Sequence, residues 1–130
     1  MRVLVIGLGS IAKKHLKALA LLQPDAEIIA LRSNRSSEPY PNVRDIYNWN
    51  EIAILKIDFA IISNPSSEHK RTIEQLIPFG FPLFIEKPLH STLEINSIID
   101  SISKNNILTY VACNLRFLNV SGLLKKRSNF

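Results

Sequence analysis

The chain has 130 residues, of which 46% are hydrophobic and 21% are charged. This length suits one domain that buries a core without disulfides, and the composition excludes a disordered chain. The net charge of +5 would suit either nucleic acid or a phosphorylated small ligand. The only dense basic run, Lys125-Lys126-Arg127, lies near the C-terminus and is typical of a solvated helix end. We therefore expect no nucleic-acid partner, and we expect no metal ion.

The first residues have some features of a leader peptide, because Arg2 precedes an apolar run at residues 3–6. Gly7 and Gly9 interrupt that run, and no small-residue cleavage site follows it. We predict neither a signal peptide nor a membrane span. The single cysteine, Cys113, cannot form an internal disulfide, which is typical of a reducing compartment. A cytoplasmic location is the expectation.

Five short apolar segments alternate with segments of helical periodicity. The apolar segments are Arg2–Ile6, Glu27–Leu31, Phe59–Ile62, 82–85 and 108–112. Runs that are apolar on both faces are typical of strands buried in a parallel sheet. Apolar residues recur with helical spacing at 11–22, 73–77 and 93–102, and residues 43–55 form a short strand or a short helix.

Helix-boundary residues agree with this alternation. Ser91 and Glu94 have the spacing of a capping box, and Gly80 follows a helical stretch where a left-handed residue is favoured. With right-handed crossovers, the order of elements predicts a Rossmann-type, doubly wound α/β fold with a mainly parallel sheet and helices on both faces. Ligands of such sheets bind at the carboxyl ends of the strands.

A glycine-rich turn follows the first strand, where residues 7–12 read Gly-Leu-Gly-Ser-Ile-Ala. Gly7 permits the tight turn, Gly9 lets the backbone approach a pyrophosphate, and the small Ala12 stands where a third glycine is usual. The helix N-terminus then offers amide donors to phosphates. We interpret the turn as a dinucleotide site; a purely structural turn and a methyltransferase site are the alternatives.

The segment after the second strand indicates which dinucleotide is bound. An NAD-preferring site usually has an acid there, but this chain has Arg32, Ser33 and Arg35, with no carboxylate before Glu38. Guanidinium groups bind a 2′-phosphate by charge-assisted hydrogen bonds. NADP is therefore favoured over NAD, unless both arginines are merely exposed loop charges.

Two further polar segments follow later strands. Asn64-Pro65-Ser66-Ser67-Glu68-His69 comes after one strand, and Glu86-Lys87-Pro88 comes after the next. A lysine at a strand end lies beside the crevice, where it can hold a substrate hydroxyl against a hydride acceptor. A solvated ion pair is the alternative interpretation of an isolated Glu-Lys.

Four sequence blocks occur together in one order. They are Gly7-x-Gly9-x-x-Ala12 with Lys13-Lys14-His15, Asn64-Pro65-x-x-x-His69, Glu86-Lys87-Pro88 and Asn114-Leu115-Arg116-Phe117. In this the chain resembles, to about Phe117, the N-terminal domain of the Gfo/Idh/MocA oxidoreductases, the group of glucose-fructose oxidoreductase and inositol 2-dehydrogenase. The resemblance implies hydride transfer between NAD(P) and a hydroxyl or ketone carbon of a sugar, cyclitol or sugar derivative.

The resemblance also implies roles for single residues. It assigns Gly7, Gly9, Ser10 and Ile11 to the pyrophosphate, Arg32, Ser33 and Arg35 to the adenosine ribose, and Asn64, Pro65 and His69 to the nicotinamide side. It assigns Glu86 and Lys87 to the catalytic loop, with Glu86 also near the cofactor, and Asn114 and Arg116 to the region near the nicotinamide and the domain junction.

The expected organisation is a dinucleotide-binding domain at residues 1–118 and a connection or tail at residues 119–130. In the family a second domain covers the active site, carries substrate-binding groups and often mediates oligomerisation. We therefore expect a fragment that binds the dinucleotide, is inactive alone and takes a sugar-type substrate only with such a domain; a homo-oligomer is a further expectation. The alternative is a stand-alone nucleotide-binding or redox-sensing module without catalysis.

Overall fold

The computed structural model of the chain describes residues 1–91 and 95–113. Its strands are β1 (Arg2–Ile6), β2 (Glu27–Leu31), β3 (Val43–Ile46), β4 (Phe59–Ile62), β5 (Leu83–Ile85) and β6 (Thr109–Val111). Its α-helices are α1 (Ser10–Leu22), α2 (His69–Leu76) and α3 (Asn96–Lys104). Short 3₁₀ helices lie at Trp49–Ile54, Ser66–Glu68 and Ile77–Phe79.

The strands form one sheet in the order β3-β2-β1-β4-β5-β6, and all neighbouring strands run parallel. Ile6, the last residue of β1, is level with Leu31 of β2 and Ile62 of β4. The strand order reverses between β1 and β4, which is where open α/β sheets bind their ligands. The predicted Rossmann-type fold is confirmed.

Two apolar layers cover the two faces of the sheet. Leu4 and Ile6 of β1 belong to the larger layer, which also contains buried residues of α2 and α3. Val3 and Val5 belong to the smaller layer, which α1 covers through Ala12 and its neighbours. This alternation follows from the period of two along a strand, and it places helices on both faces.

Most element boundaries agree with the sequence. Three predicted strands are confirmed residue for residue, and β5 and β6 are slightly shorter than the apolar runs that predict them. Gly80 has the expected left-handed conformation, with φ of 74°. Residues 43–55 form both candidate elements, β3 and then a 3₁₀ helix that begins after Asn48. Its capping box, in which Asn48 pairs with Glu51, was not among the predicted boundaries.

Some predictions concern residues that lie outside the described part of the chain. Glu94 is one of them, so the predicted capping box with Ser91 lies there, as do Asn114, Arg116 and the segment 119–130. Helix α3 begins at Asn96, inside the predicted helical segment. No helix of the described residues is long and apolar enough to cross a membrane.

The last residues of two helices give a matched test of the core. Leu76 ends α2 and is fully buried, whereas Leu22 ends α1 and is 76% exposed. We expect Leu76→Ala to lower the free energy of unfolding by about 2–5 kcal/mol, because it leaves a cavity. Leu22→Ala should change it by less than about 0.5 kcal/mol. Urea denaturation measures both values, and equal effects would contradict the packing of α2.

Candidate functional site

The turn between β1 and α1 is fixed by contact with the turn after β4. Gly7 has φ of +83°, and a Cβ there would lie 2.7 Å from both Cα and N of Asn64. Ser63 Oγ donates a hydrogen bond to the Gly7 carbonyl at 2.8 Å. No residue with a side chain fits at position 7 without moving the backbone of Asn64.

The first turn of α1 is open to a ligand. Gly9 is its N-cap residue, and no side chain of the described residues accepts a hydrogen bond from the first amides of the helix. Apart from its chain neighbours, no described residue lies within 4 Å of the position that a Gly9 Cβ would take. The next residue, Ser10, is exposed, while Ala12 is fully buried against the sheet. This helix end therefore offers amide donors and positive potential to an anion.

A cleft of about 560 Å³ lies at the carboxyl ends of the strands. The strand ends Ile6 and Leu31 line it, together with residues that follow the first three strands: Gly7 and Leu8 after β1, Arg32, Ser33, Asn34 and Ser37 after β2, and Tyr47 and Trp49 after β3. The rest of the lining follows β4 and continues along α2: Asn64, Pro65, Glu68, Arg71, Thr72 and Gln75. Of the predicted site residues, the cleft brings together Gly7, Arg32, Ser33, Asn64 and Pro65. The other described ones are not among its lining residues, namely Gly9, Ser10, Ile11, Arg35, His69, Glu86 and Lys87.

The two arginines after β2 have different partners. Arg32 pairs with the Asp45 carboxylate of β3, at 3.2 Å from Oδ2, and donates to the Glu38 carbonyl at the same distance. The side chains of Arg32 and Asp45 are 9% and 14% exposed, so this pair is largely buried. Arg35 is exposed, and its guanidinium lies 4.5 Å from the centre of the Tyr47 ring. Arg32 therefore has a balanced charge, whereas Arg35 has no ion pair with a described residue.

Asn64 and His69 connect the β4 turn to its surroundings. Asn64 Nδ2 donates to Thr72 Oγ1 at 2.8 Å, and its Oδ1 is buried with no hydrogen-bond partner among the described residues. The His69 ring nitrogens lie 2.9 Å from the Asn64 carbonyl and 3.2 Å from the Leu89 carbonyl. His69 is only 1% exposed and does not line the cleft. Its position indicates a structural link to the loop after β5; contact with the nicotinamide stays a prediction.

The loop after β5 contains Glu86, Lys87 and Pro88. Glu86 Oε1 pairs with His15 Nε2 of α1, and Glu86 Oε2 accepts a hydrogen bond from the Lys87 main-chain N–H at 3.2 Å. Lys87 is exposed, and its bond to Pro88 is cis. The carboxylate thus already has two partners, whereas the ammonium of Lys87 has no ion pair with a described residue.

The part of the cleft formed by α2 and by the segment after β3 was not predicted from the sequence. Glu68, Arg71, Thr72 and Gln75 recur at threes and fours and lie on one side of the cleft. This polar stripe is the sequence signal for that side of the cleft, whereas the helix itself is predicted from its apolar stripe alone. Nothing in the sequence indicated that Trp49 lines the cleft, because residues 43–55 could form either a strand or a helix.

Residues 1–91 and 95–113 contain no group of three or more His, Cys, Asp or Glu side chains that could hold a metal ion.

Comparison with known proteins identifies the family. The family model described as "Oxidoreductase family, NAD-binding Rossmann fold" (GFO_IDH_MocA) matches residues 1–112. The chain belongs to the Gfo/Idh/MocA oxidoreductase family. The resemblance inferred from the four sequence blocks is thereby confirmed, and the chain is an NAD-binding oxidoreductase domain of that family. No curated protein sequence matches it significantly.

Several solved structures share this fold. The WlbA dehydrogenase of Chromobacterium violaceum, in complex with NADH and UDP-GlcNAcA, is 22% identical, with a TM-score of 0.84, over 97% of this chain and 39% of its own. The corresponding WlbA complex of Bordetella pertussis is 21% identical, with a TM-score of 0.83, over 96% and 40%. A Gfo/Idh/MocA oxidoreductase of Vibrio cholerae is 22% identical, with a TM-score of 0.77, over 99% and 45%. This chain thus spans less than half of each.

Substitution of the two glycines of the turn should separate stability from binding in this family member. Gly7→Ala should lower the free energy of unfolding by about 1–3 kcal/mol, because it combines a positive φ with contact against Asn64. Gly9→Ala should change it by less than about 0.5 kcal/mol, since its added methyl group meets no described residue other than its chain neighbours.

Urea denaturation of both variants, with nucleotide titration of Gly9→Ala, measures these effects. We expect Gly9→Ala to weaken dinucleotide binding by narrowing the approach to the backbone. A Gly7→Ala variant as stable as the wild-type chain would contradict the close approach to Asn64.

Proposed function

We propose that the chain binds a nicotinamide adenine dinucleotide with its pyrophosphate against the N-terminus of α1. The observation that carries this proposal is the uncapped first turn of α1, which opens beside the Gly7–Asn64 contact and the cleft. Amides without partners and the helix dipole both favour a phosphate. The open space over Gly9 lets the phosphate reach the main chain.

The size and chemistry of the cleft also suit the adenosine half of the cofactor. A volume of about 560 Å³ lies within the usual range of small-molecule sites, about 300–1,000 Å³. Tyr47 and Trp49 supply aromatic surface, and Ser33 and Asn34 supply polar groups at the strand end. The unpartnered Oδ1 of Asn64 is an acceptor for a ligand N–H or O–H.

The charges around the cleft support a preference for NADP(H) over NAD(H). The loop at residues 32–37 contains no carboxylate, and Arg32 is balanced by Asp45. The cations available to a 2′-phosphate are therefore Arg35, beside Tyr47, and Arg71 on α2, neither of which forms an ion pair with a described residue. This shifts the proposed phosphate-binding role from Arg32 to Arg35 and Arg71.

Fluorescence titration with NADPH and NADH tests the preference. We expect NADPH to bind at least about tenfold more tightly, which corresponds to about 1.4 kcal/mol and to one charge-assisted hydrogen bond. Arg35→Ala and Arg71→Ala should each weaken NADPH binding by about that factor and leave NADH binding within about twofold.

Arg44→Ala is the matched control, since Arg44 is 55% exposed on β3 and does not line the cleft. Arg32→Ala is unsuitable as a probe, because it leaves the buried Asp45 carboxylate unpaired. Equal or tighter binding of NADH by the wild-type chain would contradict the preference while leaving dinucleotide binding intact.

We propose further that the domain serves an enzyme that oxidises or reduces a carbon of a sugar, cyclitol or sugar derivative. The bound cofactor would supply or accept the hydride. Lys87, exposed after β5 and free of ion pairs among the described residues, would orient the reacting oxygen. In reduction its ammonium would donate a proton from Nζ to the carbonyl oxygen, and in oxidation its neutral amine would accept the hydroxyl proton at Nζ. The two WlbA structures, which are complexes with NADH and UDP-GlcNAcA, support a sugar-derivative substrate, bound with the help of a second domain.

Lys87→Met tests that role. We expect turnover of an enzyme that joins this domain to a substrate domain to fall by about two orders of magnitude or more, the scale for a positioned acid or base. The same change in the 130-residue chain should alter the free energy of unfolding by less than about 1 kcal/mol, since Lys87 is exposed.

Lys56→Met is the control, because Lys56 is exposed in the segment before β4, at the other end of the sheet. Normal turnover of the Lys87→Met enzyme would contradict the catalytic role of Lys87, whereas the absence of turnover in the wild-type enzyme with sugar-type substrates would favour a binding or redox-sensing module. The cytoplasmic location, the homo-oligomer and the inactivity of the chain by itself stay predictions.

A further inference from the structure

His15 of α1 is held in place by two contacts with β5 and the loop that follows it. Its Nε2 pairs with Glu86 Oε1, and the two side chains are 21% and 12% exposed. Its ring meets the Phe84 ring edge to face, with 5.2 Å between the centroids and 74° between the planes. Phe84 in turn stacks on Tyr110 of β6 at 5.5 Å. The orientation of the imidazole is therefore fixed on two sides.

Glu86 connects His15 to the main chain of the next residue, Lys87. One carboxylate oxygen contacts His15, and the other accepts a hydrogen bond from the Lys87 N–H at 3.2 Å. A partly buried carboxylate with both oxygens engaged is poorly available for proton exchange with a substrate. It is well placed to hold the backbone from which the Lys87 side chain projects.

The same helix contains the proposed phosphate site. α1 begins at Ser10, and His15 lies one to two turns later. The N-terminus of α1 and the loop that contains Lys87 are thus linked through two side chains, although His15 and Glu86 are 71 positions apart in the sequence. Since helices are stiff, the link fixes the distance between the phosphate site and Lys87.

We propose that His15 is a positioning residue for Lys87, which it fixes against α1 through Glu86. The inference rests on the proposed function in one respect, namely that Lys87 acts on a substrate beside the bound cofactor. Glu86 is then also a positioning residue, not a catalytic one. Misplacement of a reacting group by about 1 Å can lower the rate about 100-fold. Loss of the link between His15 and Glu86 should therefore slow the reaction.

The test is hydrogen exchange of the Lys87 amide, followed by NMR in the 130-residue chain without nucleotide. His15→Leu removes the ring nitrogen and keeps an apolar side chain, and it should speed exchange of that amide about tenfold, as expected when a hydrogen bond to a charged group is lost. His15→Gln keeps a donor and should restore most of the protection. Glu86→Gln should speed exchange, and His15→Leu combined with Glu86→Gln should add little to either single change.

Leu16→Ala is the control for a merely structural effect. Leu16 is the next residue of α1, is 5% exposed and packs in the smaller apolar layer. It should destabilise the whole chain and speed exchange of the Val5 and Ile61 amides along with that of Lys87, whereas His15→Leu should affect Lys87 selectively. Unchanged exchange at Lys87 in both His15→Leu and Glu86→Gln, or equal acceleration at Val5 and Lys87, would overturn the inference.

NADPH titration of the same variants separates this inference from the proposed function. Since His15 is not at the phosphate site, His15→Leu should bind NADPH within about threefold of the wild-type affinity, but the shift of the Lys87 amide resonance on binding should be lost. If the wild-type chain binds neither NADPH nor NADH, the proposed function fails, and the exchange data still decide whether His15 fixes the Lys87 loop.

Discussion

The close approach of the β1 and β4 turns is the constraint on which the site depends. With Gly7 at φ of +83° and only 2.7 Å between its potential Cβ and the Asn64 backbone, the chain cannot rise above the sheet at this point. It enters α1 at Ser10, after the Gly9 N-cap. The cleft, the helix end and the loop after β4 meet because these two turns are in contact.

From that contact, side-chain links extend in two directions. Asn64 is held by Thr72 of α2 and through its carbonyl by His69, which also reaches Leu89 in the loop after β5. On the other face of the sheet, α1 reaches the same loop through His15 and Glu86. The loop is therefore held from both faces, and a site on a loop gains precision when such supports lock it.

Local sequence information was enough for the fold and for the glycine-rich turn after β1. β1, β2 and β4 were predictable because central parallel strands are apolar on both faces, a pattern that needs no knowledge of partners. The turn at residues 7–12 was also predictable, because the spacing of its glycines is visible in the local sequence. The pairing of Arg32 with Asp45 was not predictable, because Asp45 lies on β3. The sequence allows either a strand or a helix there, and only pairing with β2 defines the strand. The contact of Glu86 with His15 was likewise not predictable, because nothing in the local sequence indicates that a residue after β5 meets the first helix.

The position of β3 at an edge of the sheet affects how readily the protein associates with other molecules in solution. Every sheet edge offers unpaired main-chain groups on which a strand of another molecule can assemble. β3 has only four residues, it follows Pro41 closely, and it presents Arg44, which is 55% exposed, on the rim. A short strand with a charged side chain and a nearby proline is a poor template for growth. This edge should therefore resist the strand-by-strand stacking that leads to aggregates.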